Sequence, residues 1–270
     1  MENQESEREG PPEWSKRSTV AAGNFALVIQ KESTMKKILV IDDSAIHQAS
    51  ARETLKDSGY ELTIASGYRE AYKLLLNPDG FWKHVETELG TRGLKWGVKG
   101  YQEAAREVAA RLRSEYAYDV VLCDLLMPCP PHSHDDSVMP LGPDGEKFVG
   151  QEMPFGFPLV FLAAMSGARH VGVVTDASHH NHPFSAVLDP VEWYRSNGAG
   201  KFTINGTVVK FFQDGGRYLA DGTVCPQCKG TGKDSDHECY TCGGAGKDWK
   251  EGKDWGNSLQ YLLSDTPPRP

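Results

Sequence analysis

Two short apolar runs that end in carboxylates set the pattern of this chain. Residues 36–44 have the sequence KKILVIDDS and residues 118–128 have YDVVLCDLLMP. Uninterrupted apolar runs of this length are typical of parallel strands that are buried on both faces. The carboxyl ends of parallel strands meet at one edge of a sheet, where open α/β folds bind their ligands, so we expect Asp42, Asp43 and Asp124 to converge. Converging carboxylates repel each other, and the pattern therefore predicts a Mg²⁺ site or raised pKa values.

The segments around these runs alternate between helical and strand periodicity. Strands are expected over residues 61–66 and 170–175, and helices over residues 44–58, 68–76, 101–116, 157–168 and in GKDWGNSLQYLLSD near the carboxyl end. In that last helix, one face is expected to carry Trp255, Leu259, Leu262 and Leu263. The alternation indicates a doubly wound α/β domain.

Three features in order resemble the receiver domain of two-component response regulators. They are the acidic pair after the first strand, the D-x-x-M-P tail that starts at Asp124, and Thr175 at the end of HVGVVT. The resemblance implies a flavodoxin-like parallel sheet of five strands, in which Asp124 accepts a phosphoryl group from a histidine kinase. It also implies that Asp42 and Asp43, with Asp124, hold Mg²⁺ and that Thr175 supplies the switch hydroxyl. From the residues alone, the alternative is that the carboxylates only cap strand ends or helix starts.

The chain departs from the receiver pattern after its fourth strand. Receivers carry a Lys-Pro after the fifth strand, and if KFTI (residues 201–204) is that strand, these positions fall on Asn205 and Gly206. Lys201 or Lys210 would replace the missing lysine only in a different register. Asp176 follows Thr175 where receivers have a small residue, and we expect its charge to crowd or repel a phosphoryl group.

A second candidate metal site lies just beyond that position. It consists of Asp176, His179, His180 and His182 in TDASHHNHP. Imidazoles near a carboxylate pocket favour a transition metal, or an anion when they are protonated. The alternative is a polar loop. The loop after Pro128 also contains His132, His134, Asp135 and Asp136, but their spacing matches no metal geometry and favours a solvated loop.

Residues 225–246 contain two C-x-x-C-x-G-x-G units. Each C-x-x-C turn aims two thiolates at one point, and the glycines permit the positive φ that a metal knuckle needs. The spacing predicts a tetrahedral structural zinc site made by Cys225, Cys228, Cys239 and Cys242, because four sulfur ligands leave no position for water. The doubled repeat resembles the zinc-binding module of DnaJ-type chaperones, with enough repeats for one zinc. Free thiols and disulfides are the alternatives.

These assignments divide the chain into segments. We expect a flexible tail at 1–34, a receiver-like α/β domain at 35–222 with insertions at about 77–100 and 129–154, a zinc-knuckle insertion at 223–247, a helix at 248–264 that packs back on the α/β domain, and a tail at 265–270. The first tail is rich in Glu and has a Pro-Pro pair, a composition that does not favour ordering.

Composition narrows the function classes. The 270 residues are 39% hydrophobic and carry a formal net charge of −8, which argues against a protein that wraps nucleic acid. The longest apolar stretch near the amino terminus, VAAGNFALVI, is too short to span a bilayer and does not resemble a signal peptide. Four of the six cysteines are paired in C-x-x-C form, which indicates metal ligands in a reducing cytoplasm.

Taken together, the sequence predicts an atypical receiver-like signalling or adaptor protein rather than an enzyme. Its partner would be a protein, such as a histidine kinase or a downstream effector. The alternative is a metal-dependent hydrolase or phosphotransfer enzyme that uses the aspartates and His179, His180 and His182. A third hypothesis makes the zinc element a contact site for a peptide or, less favourably given its balanced charges, for nucleic acid.

Overall fold

A computed structural model describes residues 36–76, 78, 80–131, 145–176, 201–214, 216–219 and 222–264. Several sequence predictions lie outside these residues and are not tested by them. They are the tails at 1–34 and 265–270, the loop residues His132, His134, Asp135 and Asp136, and the cluster His179, His180 and His182.

The described residues form twelve strands and six α-helices. The strands are β1 (Lys36–Ile41), β2 (Tyr60–Ala65), β3 (Val120–Asp124), β4 (Met127–Pro128), β5 (Glu152–Met153), β6 (His170–Thr175), β7 (Lys201–Ile204), β8 (Thr207–Gln213), β9 (Arg217–Leu219), β10 (Lys233–Asp234), β11 (His237–Glu238) and β12 (Trp249–Glu251). The helices are α1 (Ala45–Thr54), α2 (Tyr68–Leu76), α3 (Phe81–Thr91), α4 (Tyr101–Tyr116), α5 (Gly156–Met165) and α6 (Trp255–Leu263). Residues Glu146–Phe148 form one 3₁₀ turn.

The central sheet has six strands in the order β2-β1-β3-β6-β8-β7. All neighbouring pairs are parallel except β8 and β7. Helices cover both faces of this sheet, and the side chains of β1 alternate between the two cores that result. Leu39 and Ile41 pack in the core that includes α2 and α5, whereas Ile38 and Val40 pack in the core that includes α1 and α6. A mixed α/β fold is therefore confirmed, with one strand more than the five predicted.

The extra strand corrects the prediction for the end of the sheet. β7, residues 201–204, is an antiparallel edge strand, and β8 is the strand that runs parallel to β6. Asn205 and Gly206 form the tight turn between β7 and β8, with φ values of 50° and 84°. An Asn-Gly pair with positive φ at both positions is the preferred two-residue hairpin turn. Asn205 therefore does not occupy the end of the fifth parallel strand.

Helices α3 and α4 pack on each other and have a small core of their own. Phe81, Val85 and Leu89 of α3 bury their side chains against Val108 and Leu112 of α4. The sequence predicted α4 with its observed bounds but gave no helix for α3. No helix in the described part of the chain combines the length and the apolar character needed to cross a membrane.

The cysteine-bearing insertion follows β8. A pair of short antiparallel strands, one before the cysteines and one after them, connects it to the rest of the domain. We call β9 and β12 the ribbon, and residues 223–247 the zinc module. The two ribbon strands pair in antiparallel register, with Arg217 opposite Glu251 and Tyr218 opposite Lys250. The chain then passes directly into α6, whose buried Trp255, Leu259 and Leu262 pack under the sheet. Leu263, predicted for the same face, is 45% exposed.

Candidate functional site: an acidic pocket and a four-cysteine centre

Three aspartates meet at the carboxyl edge of the sheet, as their positions after apolar strands predicted. Ile41 of β1 pairs with Cys123 of β3, so the next residues, Asp42 and Asp124, lie level on adjacent strands. One carboxylate oxygen from each of Asp42, Asp43 and Asp124 lies within 4.8 Å of the others. Asp42 and Asp124 are buried, and Asp43 faces solvent. We call these three residues the acidic triad.

A buried lysine, which the sequence did not identify, lies among these carboxylates. Lys253 is completely inaccessible to solvent. Its Nζ is 2.8 Å from Oδ2 of Asp42, 2.9 Å from Oδ1 of Asp124 and 3.6 Å from Oδ1 of Asp176. A buried ammonium with this many carboxylate neighbours compensates charge that would otherwise be costly to bury. Lys253 therefore places a positive charge beside both Asp42 and Asp124.

Neither lysine considered from the sequence takes this place. Lys210 is also buried, but its Nζ donates to the carbonyl oxygens of Tyr261, at 2.7 Å, and Ser264, at the carboxyl end of α6. It therefore stabilises the carboxyl end of α6, where carbonyls lack partners within the helix. Lys201 lies on the edge strand β7 and is exposed.

His47 and Asp176 complete the polar ring around the pocket. His47, on α1, places Nδ1 3.2 Å from both oxygens of Asp42 and Nε2 3.4 Å from Oδ2 of Asp176. The carboxylate of Asp176 thus interacts with both His47 and Lys253, which offsets the repulsion expected from its sequence position. No sequence signal distinguished His47, because a single histidine on an amphipathic helix is common.

The pKa shifts in the pocket follow from burial opposed by charge pairing. Burial raises the pKa of Asp124 to about 7, although the Lys253 ammonium opposes the shift. For Asp42, burial is outweighed by the His47 hydrogen bond and the Lys253 charge, and its pKa falls below the ordinary value. Burial would lower the pKa of Lys253, but the carboxylates of Asp124, Asp42 and Asp176 raise it above the ordinary value. Lys253 is therefore protonated at neutral pH.

Asp124 is held in one orientation. Its Oδ1 accepts a hydrogen bond from the backbone N–H of Leu125 at 2.7 Å and is the oxygen nearest to Lys253. The start of α5 packs closely against the backbone of Asp124. A Cβ at Gly156 would lie 2.6 Å from the carbonyl oxygen of Asp124. Thr175 ends the neighbouring strand and is buried beside Val174, which pairs with Asp124. The carboxylate is thus fixed through Oδ1, whereas no hydrogen bond to Oδ2 is found among the described residues.

The acidic triad fits a hard divalent cation. Carboxylate oxygens are the preferred ligands of Mg²⁺, and a site with few protein ligands is usual because Mg²⁺ retains waters. The exposed side of Asp43 provides access to solvent. The ammonium of Lys253 already neutralises part of the charge, so the triad suits a single cation better than a pair of cations.

The four cysteines of the zinc module form the second cluster, as predicted. The Sγ atoms of Cys225 and Cys239 are 3.9 Å apart, and those of Cys228 and Cys242 are 3.7 Å apart. With a Zn–S distance of about 2.3 Å, a tetrahedral site requires sulfur atoms about 3.8 Å apart. All four side chains are buried and none is in a disulfide. The arrangement therefore fits one zinc ion held by four thiolates.

The two halves of the zinc module are related by an approximate twofold repetition. The N–H of Cys225 donates to the carbonyl of Gly246, and the N–H of Cys239 donates to the carbonyl of Gly232. A Cβ on Gly232 would collide with the carbonyl oxygen of Gly244, and a Cβ on Gly246 would collide with that of Gly230. The glycines of each repeat are thus required by close backbone approach to the other repeat.

This packing predicts different outcomes for two glycine substitutions. Gly232→Ala places a methyl group against backbone and should lower the affinity for zinc strongly. Gly243→Ala is the matched control, because its φ is also positive but a Cβ there meets no atom within 4 Å. Lys229, at the same position in the first repeat, tolerates a φ of 52°, so we expect a cost of only about 1–2 kcal/mol. Competition with a chromogenic zinc chelator measures both variants, and equal affinities would contradict the packing argument.

The structure thus brings the three aspartates of the acidic triad together at one site and the four cysteines together at another. Thr175 and Asp176 lie at the end of the strand next to Asp124. The structure adds Lys253 and His47, which no local pattern in the sequence marked. Comparisons with protein-family models, with curated proteins and with solved structures found no match for this chain. The function therefore has to be inferred from the geometry of the pocket.

Proposed function

We propose that this protein is a receiver-like signalling or adaptor protein in which Asp124 is the phosphoryl acceptor. The main support is one observation, the buried ammonium of Lys253 within hydrogen-bond distance of Asp124 and Asp42 at the carboxyl edge of the sheet. The strand order β2-β1-β3-β6-β8 is the 2-1-3-4-5 order of flavodoxin-like sheets, with β7 added at the edge.

In the proposed reaction, Oδ2 of Asp124 attacks the phosphorus atom of a phosphorylated donor. A new phosphorus–oxygen bond forms at Asp124, and the bond from phosphorus to the donor breaks. The donor keeps the electron pair of the broken bond, leaving as acetate if it was acetyl phosphate or as a histidine side chain if it was a kinase. The product is an acyl phosphate on Asp124. Catalysis of phosphoryl transfer is mostly positioning and charge stabilisation, and the pocket offers both.

Each polar residue has a defined part in this proposal. Lys253 stabilises the negative charge of the transferred group, while its contact with Oδ1 orients the carboxylate. The acidic triad would hold Mg²⁺, which when bound neutralises charge on the phosphoryl oxygens and favours the ionised form of Asp124. Thr175, at the end of the next strand, is the proposed switch hydroxyl. His47 orients Asp42 and Asp176.

The alternative of a metal-dependent hydrolase receives less support. Two bridged metal ions need several carboxylates free of other cations. Lys253 occupies the space between Asp42, Asp124 and Asp176 with its own positive charge. The histidines invoked for that mechanism, His179, His180 and His182, lie outside the described residues. We therefore propose a protein partner, a kinase or an effector, in preference to a hydrolysable substrate.

The acceptor role predicts covalent labelling at one position. Incubation with Mg²⁺ and acetyl phosphate should add one phosphoryl group, detected by intact mass spectrometry and removed by hydroxylamine, which cleaves acyl phosphates. Asp124→Asn should abolish the labelling. Asp119→Asn is the control. Asp119 directly precedes β3, at the other end of the strand from Asp124, and its carboxylate accepts from the backbone N–H of Lys37. This variant should be labelled normally. Labelling that persists in Asp124→Asn would refute the assignment.

A further inference from the structure

The backbone on both sides of Lys253 is tied to the segment that leads into the zinc module. The N–H of Gly252 donates to the carbonyl of Gly216 at 2.9 Å, and the N–H of Asp254 donates to Oδ2 of Asp214 at 3.0 Å. Asp214 also accepts from the N–H of Gly216 at 2.8 Å. The backbone around Lys253 is thus held by two residues that come just before the ribbon.

The ribbon is docked on α1, the helix that carries His47. The hydroxyl of Tyr218 donates to Oε2 of Glu53 at 2.8 Å, and Nζ of Lys250 lies 3.3 Å from both oxygens of the same carboxylate. Each ribbon strand therefore contributes one side chain to one anchor on α1. Gly252 then passes so close to Ser50 that a Cβ would lie 2.7 Å from the serine Cβ. These contacts fix where the chain enters the pocket.

The zinc module extends the short ribbon. The ribbon strands have three residues each, and an isolated two-stranded pair is marginal in water. Hydrogen bonds of the zinc module continue the pairing of the ribbon. The Thr223 hydroxyl donates to the carbonyl of Asp248 at 3.3 Å, and the N–H of Cys225 donates to the carbonyl of Gly246 at 3.0 Å. The module has no apolar core besides its four buried cysteines in the described residues, so its folding requires the metal.

We propose that the zinc module is a positioning element for Lys253, so that zinc occupancy of the four-cysteine centre regulates the acidic pocket. With zinc bound, the ribbon holds the ammonium among the carboxylates. Without zinc, the ribbon loosens and the ammonium leaves, so the pocket binds divalent cations more tightly but stabilises a phosphoryl group less well. The effect on phosphorylation rests on the proposed function, whereas the effect on cation binding depends only on the geometry.

Cation binding to the full-length protein tests this mechanism. Mn²⁺ is a suitable probe because it prefers carboxylate oxygens to thiolates, and electron paramagnetic resonance measures the free ion. Lys253→Met should raise the affinity for Mn²⁺ by about tenfold to a hundredfold, since it removes a unit charge a few ångström away. The double substitution Cys228→Ser/Cys242→Ser should also raise the affinity for Mn²⁺, by a smaller factor than Lys253→Met does.

A double-mutant cycle then decides whether zinc acts through Lys253. In the Lys253→Met background, the cysteine substitutions should change the affinity for Mn²⁺ by less than about twofold. An equal change in both backgrounds would overturn the proposal, because zinc would then act independently of Lys253. Loss of Mn²⁺ binding in the cysteine variant would also overturn it, because the module would then support the whole pocket.

Tyr218→Phe tests the ribbon without touching a metal ligand. It removes the hydroxyl bonded to Glu53, and we expect a full zinc content together with a higher Mn²⁺ affinity than in the unsubstituted protein. An unchanged affinity would count against the ribbon as the link. The same variants, treated with acetyl phosphate, separate the two proposals: a cation effect without any labelling of Asp124 would refute the acceptor role and leave the coupling standing.

Discussion

Cys225→Ser should abolish zinc binding and unfold the zinc module while the central sheet remains intact. The buried cluster of the module consists of the four cysteines alone, so removal of one ligand removes the interaction that replaces a hydrophobic core. Structural zinc in small modules contributes on the order of 10–16 kcal/mol of apparent binding free energy, far more than the surrounding hydrogen bonds supply. The sheet has its own cores on both faces, so we expect it to fold without the module.

Limited trypsin digestion and zinc analysis measure this result. Cleavage should become rapid at Lys229 and Lys233 inside the module, and the two pieces should stay associated, because α6 on the carboxyl-terminal piece belongs to one core of the sheet. Cys129→Ser is the matched control, because Cys129 is also buried but belongs to the core of the sheet. It should keep one zinc per chain and the normal digestion pattern. A Cys225→Ser protein that retains zinc, or resists trypsin at these lysines, would contradict the four-cysteine site.

Lys253→Met should destabilise the protein strongly, and Mg²⁺ should restore part of the loss. The substitution leaves Asp42 and Asp124 buried without their ammonium partner, and removal of one partner from a buried ion pair typically costs about 3–5 kcal/mol. A divalent cation bound to the acidic triad replaces the missing positive charge and stabilises the folded state by mass action. The measurement is urea unfolding followed by circular dichroism, with and without Mg²⁺.

Lys210→Met provides the control for Lys253→Met. Lys210 is also a buried lysine, but its Nζ donates to backbone carbonyls at the end of α6. Its substitution should cost about 1–3 kcal/mol, the penalty for unsatisfied polar groups. Mg²⁺ should not restore that loss, because the carbonyls that Lys210 binds are not part of the acidic triad. If Mg²⁺ stabilised both variants equally, or neither, Lys253 would not be the charge partner of the triad.

The sequence predicted the elements whose signals are local. Helices α2 and α4 and strand β6 have the bounds expected from their apolar periodicity, and the acidic triad follows from carboxylates placed directly after buried strands. Helix α3 was missed because its Trp and Gly residues obscure the period of Phe81, Val85 and Leu89. Strand β7 was given the wrong role because an antiparallel edge strand and a central parallel strand of four residues have similar patterns.

The sequence by itself determined the four-cysteine centre, the acidic triad and the alternation of strands and helices, because in each the residue types and their spacing are the physical requirement. Only the tertiary structure decided which cation lies in the pocket. Lys253 is 211 positions from Asp42, and its surroundings, EGKDWG, are typical of an exposed turn. A buried charge is defined by its neighbours in space, and here those neighbours are brought together by the sheet, by α1 and by the ribbon that carries the zinc module.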